Sequence, residues 1–293
     1  MKARQFRQLA NKTFAQRLPL LIEGLEALTV NLDRLAADFD LSVHAKAYRA
    51  AEMVRNVARE EGGKFLILID SCRAPDSSPQ QLSRQFARAG NHLAKLIYDQ
   101  IADYSIASQD ELLRAVEKHR QQLHLDGPDD YNWILPNELI AERESILYVD
   151  LVESEGALGW SYPLEAQEPL GLPKSIRLVD SLRKTGMISP PGLTALQDAW
   201  GGFDSAADTH YAEWARRTTE ALSATASGHS VDEEWSAAAR SVVDIWPMPM
   251  VAIDIEMVEV NAAELTERRE ALTNAWLADQ LGWDLDDWDP YPR

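Results

Sequence analysis

The sequence predicts a mainly helical protein: a helical bundle over residues 1–165, followed by an acidic, mostly helical region over 166–293 that contains a short β element. Three observations lead there. Apolar residues recur at three and four spacings over long windows, as one buried stripe of a helix requires. Gly and Pro clusters cut the chain into helix-length pieces. Strand-like patterning is confined to Ile146–Val152, which could equally end a helix, and to Met250–Val260, where apolar and acidic residues alternate.

The first helix is read from Leu18 to Ala37, with Leu21, Leu25, Leu28, Leu32 and Leu35 on one face and Asp38-Phe-Asp-Leu-Ser closing it. A second runs from Val43 to about Cys72, because Ala47, Tyr48, Ala51, Val54, Val57 and Ala58 keep the period up to the apolar run Phe65–Ile69. Gly62-Gly63 interrupts it; two glycines cost about 2 kcal/mol of helix propensity relative to alanine, so they mark either a kink or the close approach of a neighbouring helix. Arg73–Pro79 is a loop, Gln80–Tyr104 a third helix, and Asp110–His124 a fourth, with its N-cap at Ser108 or Asp110. After the break at Gly127-Pro-Asp-Asp a short helix is expected near Pro136–Ser145. Amphipathic segments return near 174–185, 192–200 and 203–225, and Ala262–Leu281 closes the helical series before an acidic, aromatic tail.

Composition excludes several classes. With 293 residues the chain can hold one large or two smaller cores, and 45% hydrophobic against 26% charged residues is ordinary for a globular protein. No stretch approaches the roughly 20 apolar residues that span a bilayer, and no apolar run follows the basic N-terminus as a secretory signal would. The expectation is a soluble, cytoplasmic protein without a membrane partner. The single cysteine, Cys72, has no partner for a disulfide or a thiolate site and is expected to pack. A net charge of −18 argues against nonspecific coating of nucleic acid, which needs many neutralised phosphates. That charge is uneven: residues 1–128 are about +2 and residues 129–293 about −20, so any RNA contact belongs to the first half.

Two groups of residues carry possible chemistry. Glu60 and Lys64 stand four apart, the orientation that favours a helical ion pair, although spacing alone describes an ordinary surface contact. Arg84, Arg88, His92 and Lys95 fall at i, i+4, i+8 and i+11 of the expected third helix and would form a cationic ridge. Arginine matches phosphate with a planar fork of donors, and histidine as a residue type exchanges protons near neutral pH. Together they suit metal-free RNA cleavage: His92 takes a proton from a ribose 2′-hydroxyl or delivers one to the leaving oxygen, and Arg84 or Arg88 stabilises charge on the phosphate. The competing reading is an exposed, hydrated basic face. His44, His119, His124, His210 and His229 show no metal-ligand spacing, and Walker-type, dinucleotide-binding and Gly-x-Ser-x-Gly loops are absent, so no metal and no cofactor are expected.

Taken in order, four segments resemble the AbiV family of bacterial abortive-infection proteins, whose helical domain is related to the HEPN superfamily. They are Leu21–Leu35 with Gly24 and Asn31; Glu60-Glu61-Gly62-Gly63-Lys64; Phe86 followed by His92 and Lys95; and Arg143–Asp150, containing Tyr148-Val149-Asp150, with Trp160 and Pro163 downstream. The resemblance covers about residues 20–165. It implies a HEPN-like bundle, a homodimer, and phage defence at the level of RNA or translation. It also implies a catalytic set drawn from Arg84, Arg88 and His92, and binding or orienting residues Glu60, Lys64, Lys95, Arg143, Tyr148 and Asp150. RNase members of the superfamily place four to six residues between Arg and His; Arg88 and His92 enclose three, whereas Arg114 and His119 enclose four. The resemblance equally accommodates a non-catalytic protein that binds a phage protein or the translation machinery, or a nucleotide-binding module.

Overall fold

The computed structural model describes residues 2–74, 79–121, 123–125, 134–149, 151–154, 157–161, 169, 171–203, 210–227, 231–246, 248–258 and 262–281. In chain order the elements are α1 (Lys2–Arg7), α2 (Phe14–His44), α3 (Tyr48–Asp70), α4 (Pro79–Arg88), α5 (His92–Ile101), α6 (Gln109–Arg120), β1 (Leu123–Leu125), β2 (Ile134–Pro136), α7 (Glu138–Leu147), β3 (Leu151–Ser154), β4 (Ala157–Trp160), α8 (Lys174–Lys184), α9 (Pro190–Trp200), α10 (Tyr211–Ala226), α11 (Glu233–Ile245) and α12 (Ala262–Leu281). The protein is mainly α, as its periodicity predicts. Among the described residues the β structure is two antiparallel hairpins, β1–β2 and β3–β4, plus isolated bridges.

Packing groups the chain into two compact units: residues 1–118 with 164–256, and residues 119–163 with 257–293. A cut at 165 does not follow this grouping, because α8 packs against α3 and α11 against α8 within the first unit. The centre of that unit is α3. Its run Phe65, Leu66, Ile67, Leu68 and Ile69 is buried on every side, enclosed by α2, α4, α5 and α8. Burying each such side chain is worth about 1.5–3 kcal/mol, so this half-helix organises the unit.

Local signals explain the element ends. A reciprocal capping box of Thr13 and Gln16 starts α2 earlier than its leucine stripe. The hydroxyl of Ser108 accepts from the Glu111 N–H at the start of α6. Gly62-Gly63 leaves α3 unbroken; close approach, not a kink, is the reason for the pair.

Three sequence expectations change. The third helix is two, because the chain turns at Ala89-Gly90-Asn91 and the Asn91 side chain caps α5 by accepting from the Ala94 N–H at 3.0 Å. The run alternates from Val251 onward, with Val251, Ile253 and Ile255 buried and Ala252, Asp254 and Glu256 exposed, yet it forms turns rather than a strand. Among the described residues of the run only Val258 bridges, to Gln121, and both belong to the second unit. The Ile146–Val152 run is divided between the end of α7 and the start of β3.

Candidate functional site

Gly63 sets the geometry. A Cβ placed there would lie 1.9 Å from the Lys95 carbonyl oxygen, so α5 crosses α3 with backbone against backbone. One turn earlier on α3, the Glu60 side chain therefore reaches the first turn of α5. Its Oε2 meets His92 Nδ1 at 2.8 Å and accepts from Lys95 Nζ. Glu60 and Lys95 are largely enclosed, whereas the His92 side chain is 55% exposed. A carboxylate oxygen can only accept, so Nδ1 carries a proton, and a neutral His92 then has its lone pair on Nε2.

The neighbouring glutamate completes a second set. Glu61 accepts from Lys64 Nζ and, at 3.4 Å, from Asn31 Nδ2 on α2. The expected Glu60–Lys64 pair is thus replaced: Lys64 takes Glu61, and Glu60 is drawn to the two groups that α5 presents. Six residues from three of the four resembling segments, Asn31, Glu60, Glu61, Lys64, His92 and Lys95, converge on one patch of the first unit.

Under this patch lies a buried ion pair. Arg59 Nε donates to Asp99 Oδ2 at 2.9 Å, with side chains 4% and 1% exposed, and Arg59 Nη2 donates to Gln100 Oε1 at 3.1 Å. Ser175 of α8 donates its hydroxyl to the same carboxylate. Burial pushes the Asp99 carboxyl up to about 6, against the opposing pull of Arg59 and Ser175. A Cβ on Gly62 would come within 2.7 Å of the Ser175 Oγ, so the second glycine admits α8 as the first admits α5.

The cationic ridge does not exist as one helix face. Arg84 and Arg88 lie on α4, His92 and Lys95 on α5, and the capped turn separates them. Arg88 is turned inward: Nη1 donates to Gln85 Oε1 and to the Met250 carbonyl, each at 2.9 Å, and Nη2 donates to the Ile253 carbonyl. Lys95 is locked on Glu60. Arg84 remains exposed and lines, with Arg88, Arg7 and Asn91, a cleft of about 480 Å³. Arg114 and His119, the pair with superfamily spacing, sit on α6 with Arg114 exposed and His119 buried, so they do not present a common face.

Arg143 and Tyr148 belong to the second unit, Arg143 half-buried on α7 and Tyr148 half exposed just beyond its end; Asp150 lies outside the described residues. The sequence reading missed a polar cluster in the first unit. Asp70 pairs with Arg73 at 2.5 Å and accepts from Tyr98 Oη and the Met250 N–H at 2.9 Å each, and the Arg73 guanidinium lies 3.8 Å from the centre of the Trp246 ring. In the sequence Arg73 reads only as the start of a loop, and no spacing signal marks Asp70 as its partner. Among the described residues no group of three or more His, Cys, Asp or Glu side chains is placed to hold a metal ion.

A family model, described as AbiV, matches residues 20–182. Searches of curated proteins and of solved structures give no match. The matched segment is more than half of the chain and contains α3, α5 and the whole converging patch. The chain belongs to the AbiV family, and its helical bundle is HEPN-like.

Proposed function

We propose that this chain is an abortive-infection protein of phage defence that acts on RNA, as a metal-independent ribonuclease with His92 as its acid-base group. Membership of the AbiV family supports the defence role, and the Glu60–His92–Lys95 arrangement carries the chemistry. Glu60 holds the imidazole by Nδ1 and leaves Nε2 as the base that removes the proton from a ribose 2′-hydroxyl. The 2′ oxygen attacks phosphorus and the bond to the 5′ oxygen breaks, giving a 2′,3′-cyclic phosphate and a 5′-hydroxyl. The leaving oxygen takes its proton from water, and the imidazolium returns its own to solvent. Arg84 stabilises the charge on the phosphate, Arg88 holds the cleft wall in place, and Lys95 and Lys64 keep the two glutamates oriented. Pairing into a homodimer is part of this reading.

Purified protein incubated with total RNA in chelator is expected to yield fragments ending in 2′,3′-cyclic phosphate. His92→Ala should lower the rate by about 10²–10⁴-fold, the usual worth of a general base. Glu60→Gln should cost about a hundredfold through misplacement of the ring, with the variant still folded. Intact RNA under every condition, with phage components present, overturns the reading.

A second reading has its own observation. Around the β3–β4 hairpin, Tyr148, Leu151, Leu158 and Trp160 are each at least half exposed, and Leu151 pairs across the ladder with Trp160. Exposed apolar side chains grouped this way mark protein contacts. They favour a non-catalytic protein that recognises a phage protein or the translation machinery, and infection assays on His92→Ala separate the two, since only the second reading retains protection.

A further inference from the structure

Carboxylates outnumber cations in this chain, 47 to 29. Arg55, Arg59, Arg73, Arg183, Arg216 and Arg217 are held by carboxylates. Three others are not. Arg7 and Arg84 are exposed and form no ion pair among the described residues, and Arg88 is held only by neutral acceptors, the Gln85 amide and the carbonyls of Met250 and Ile253. All three line the same 480 Å³ cleft.

We propose that this cleft binds one phosphodiester of a single-stranded RNA, with Arg7 and Arg84 as its contacts and Arg88 as a fixed charge behind them. This rests on the reading of the chain as an RNA-acting protein. The lining charges decide between ligands: three guanidiniums stand against Asp254 and Glu256, leaving one net positive charge. That balance matches the single charge of a phosphodiester better than the double charge of a terminal phosphate. Asp254 also accepts from the Glu256 N–H at 3.0 Å, which fixes the acidic rim. Small residues, Ser83, Ala87, Gly90 and Ala94, form much of the remaining lining and leave room for a sugar-phosphate chain. Asn91 and Ala94, which flank His92 in sequence, both line the cleft, so a strand held here passes the first turn of α5. Arg7 and the acidic rim both lie outside the segment matched by the family model, residues 20–182, so the cleft is completed by parts of this chain beyond its family core.

The test uses the full chain and a fluorescein-labelled single-stranded 2′-O-methyl oligoribonucleotide, which lacks the nucleophile and cannot be cut by the proposed chemistry. Binding is followed by anisotropy across a salt series. Arg7→Glu and Arg84→Glu should each weaken binding by about tenfold or more, and Arg7→Ala and Arg84→Ala should each reduce the slope of log K against log salt by about 0.7, one phosphate contact on a single strand. Arg177→Glu, at an exposed position of α8, makes the same change of charge elsewhere on the unit and should leave binding within about twofold. Unlabelled oligonucleotide should displace the probe at far lower concentration than a ribonucleoside monophosphate. Equal displacement by the monophosphate would overturn the preference for a strand, and wild-type binding by both Arg7→Glu and Arg84→Glu, or an equal loss with Arg177→Glu, would overturn the site. Because the probe is inert, binding without cleavage of ordinary RNA defeats only the ribonuclease reading, and cleavage with undisturbed binding in the arginine variants defeats only this one.

Discussion

Glu60 illustrates how one carboxylate changes meaning once its neighbours are known. On α3 alone it is an ordinary partner for Lys64; with α5 packed across Gly63 it becomes the group that fixes a histidine ring. Asp99, one turn beyond Lys95, is constrained differently. Its carboxyl is raised from 3.8 to about 6, first by burial. The folded state therefore binds a proton more tightly than the unfolded chain, so the neutral form is stabilising at low pH and that contribution is lost as pH rises from about 4 through 6. The stability of the wild type relative to Asp99→Asn should fall across this window by at most about 3 kcal/mol and be level above it. Urea unfolding at a series of pH values measures this directly, and a difference that is flat or rises with pH would contradict it.

At the scale of elements, the contact between α3 and α5 is the feature on which the site depends. Gly63→Ala must displace the Lys95 carbonyl, which belongs to helix backbone and cannot rotate away. The expected cost is about 1–3 kcal/mol, together with loss of the Glu60–His92 contact and of any activity that depends on it. Gly24 provides the contrast. It too belongs to the family-like pattern, but a Cβ there would meet nothing within 4 Å. Gly24→Ala should stabilise α2 by about 0.5–1 kcal/mol. Measuring both by chemical denaturation tests whether close packing or mere helical habit explains each glycine. The break between α4 and α5 belongs to this scale as well. Gly90-Asn91 is a recognisable stop and cap, but the periodicity of the basic residues on either side concealed it.

For the whole molecule, the two compact units carry different surfaces. The first holds the converging patch and the arginine cleft, and the second holds the exposed hairpin. The alternative modes of action can therefore be separated by mutation. Leu158→Ser with Trp160→Ser removes exposed apolar surface, so stability should stay within about 0.5 kcal/mol. If the protein acts by cutting RNA, this double variant keeps its nuclease activity and its protection of cells; if it acts through a protein partner, protection is lost while the fold persists. Plaque assays beside thermal melts distinguish the outcomes. No described helix is long and apolar enough to cross a membrane.

What the sequence determined by itself was the helical class, the place of most helices and the kinship, because these depend on local periodicity, on caps and breakers, and on motif order. The leucine stripe of α2, the bounds of α12 and the Glu-Glu-x-Gly-Lys segment were all legible in that way. Pairing was not. The partner chosen by Glu60, the inward turn of Arg88, the burial of Lys95 and the gathering of Arg7 with Arg84 are decided by which helices approach closely and which backbone carbonyls they offer. Those contacts join residues separated by 32 to 165 positions, a range at which linear spacing carries no geometric information.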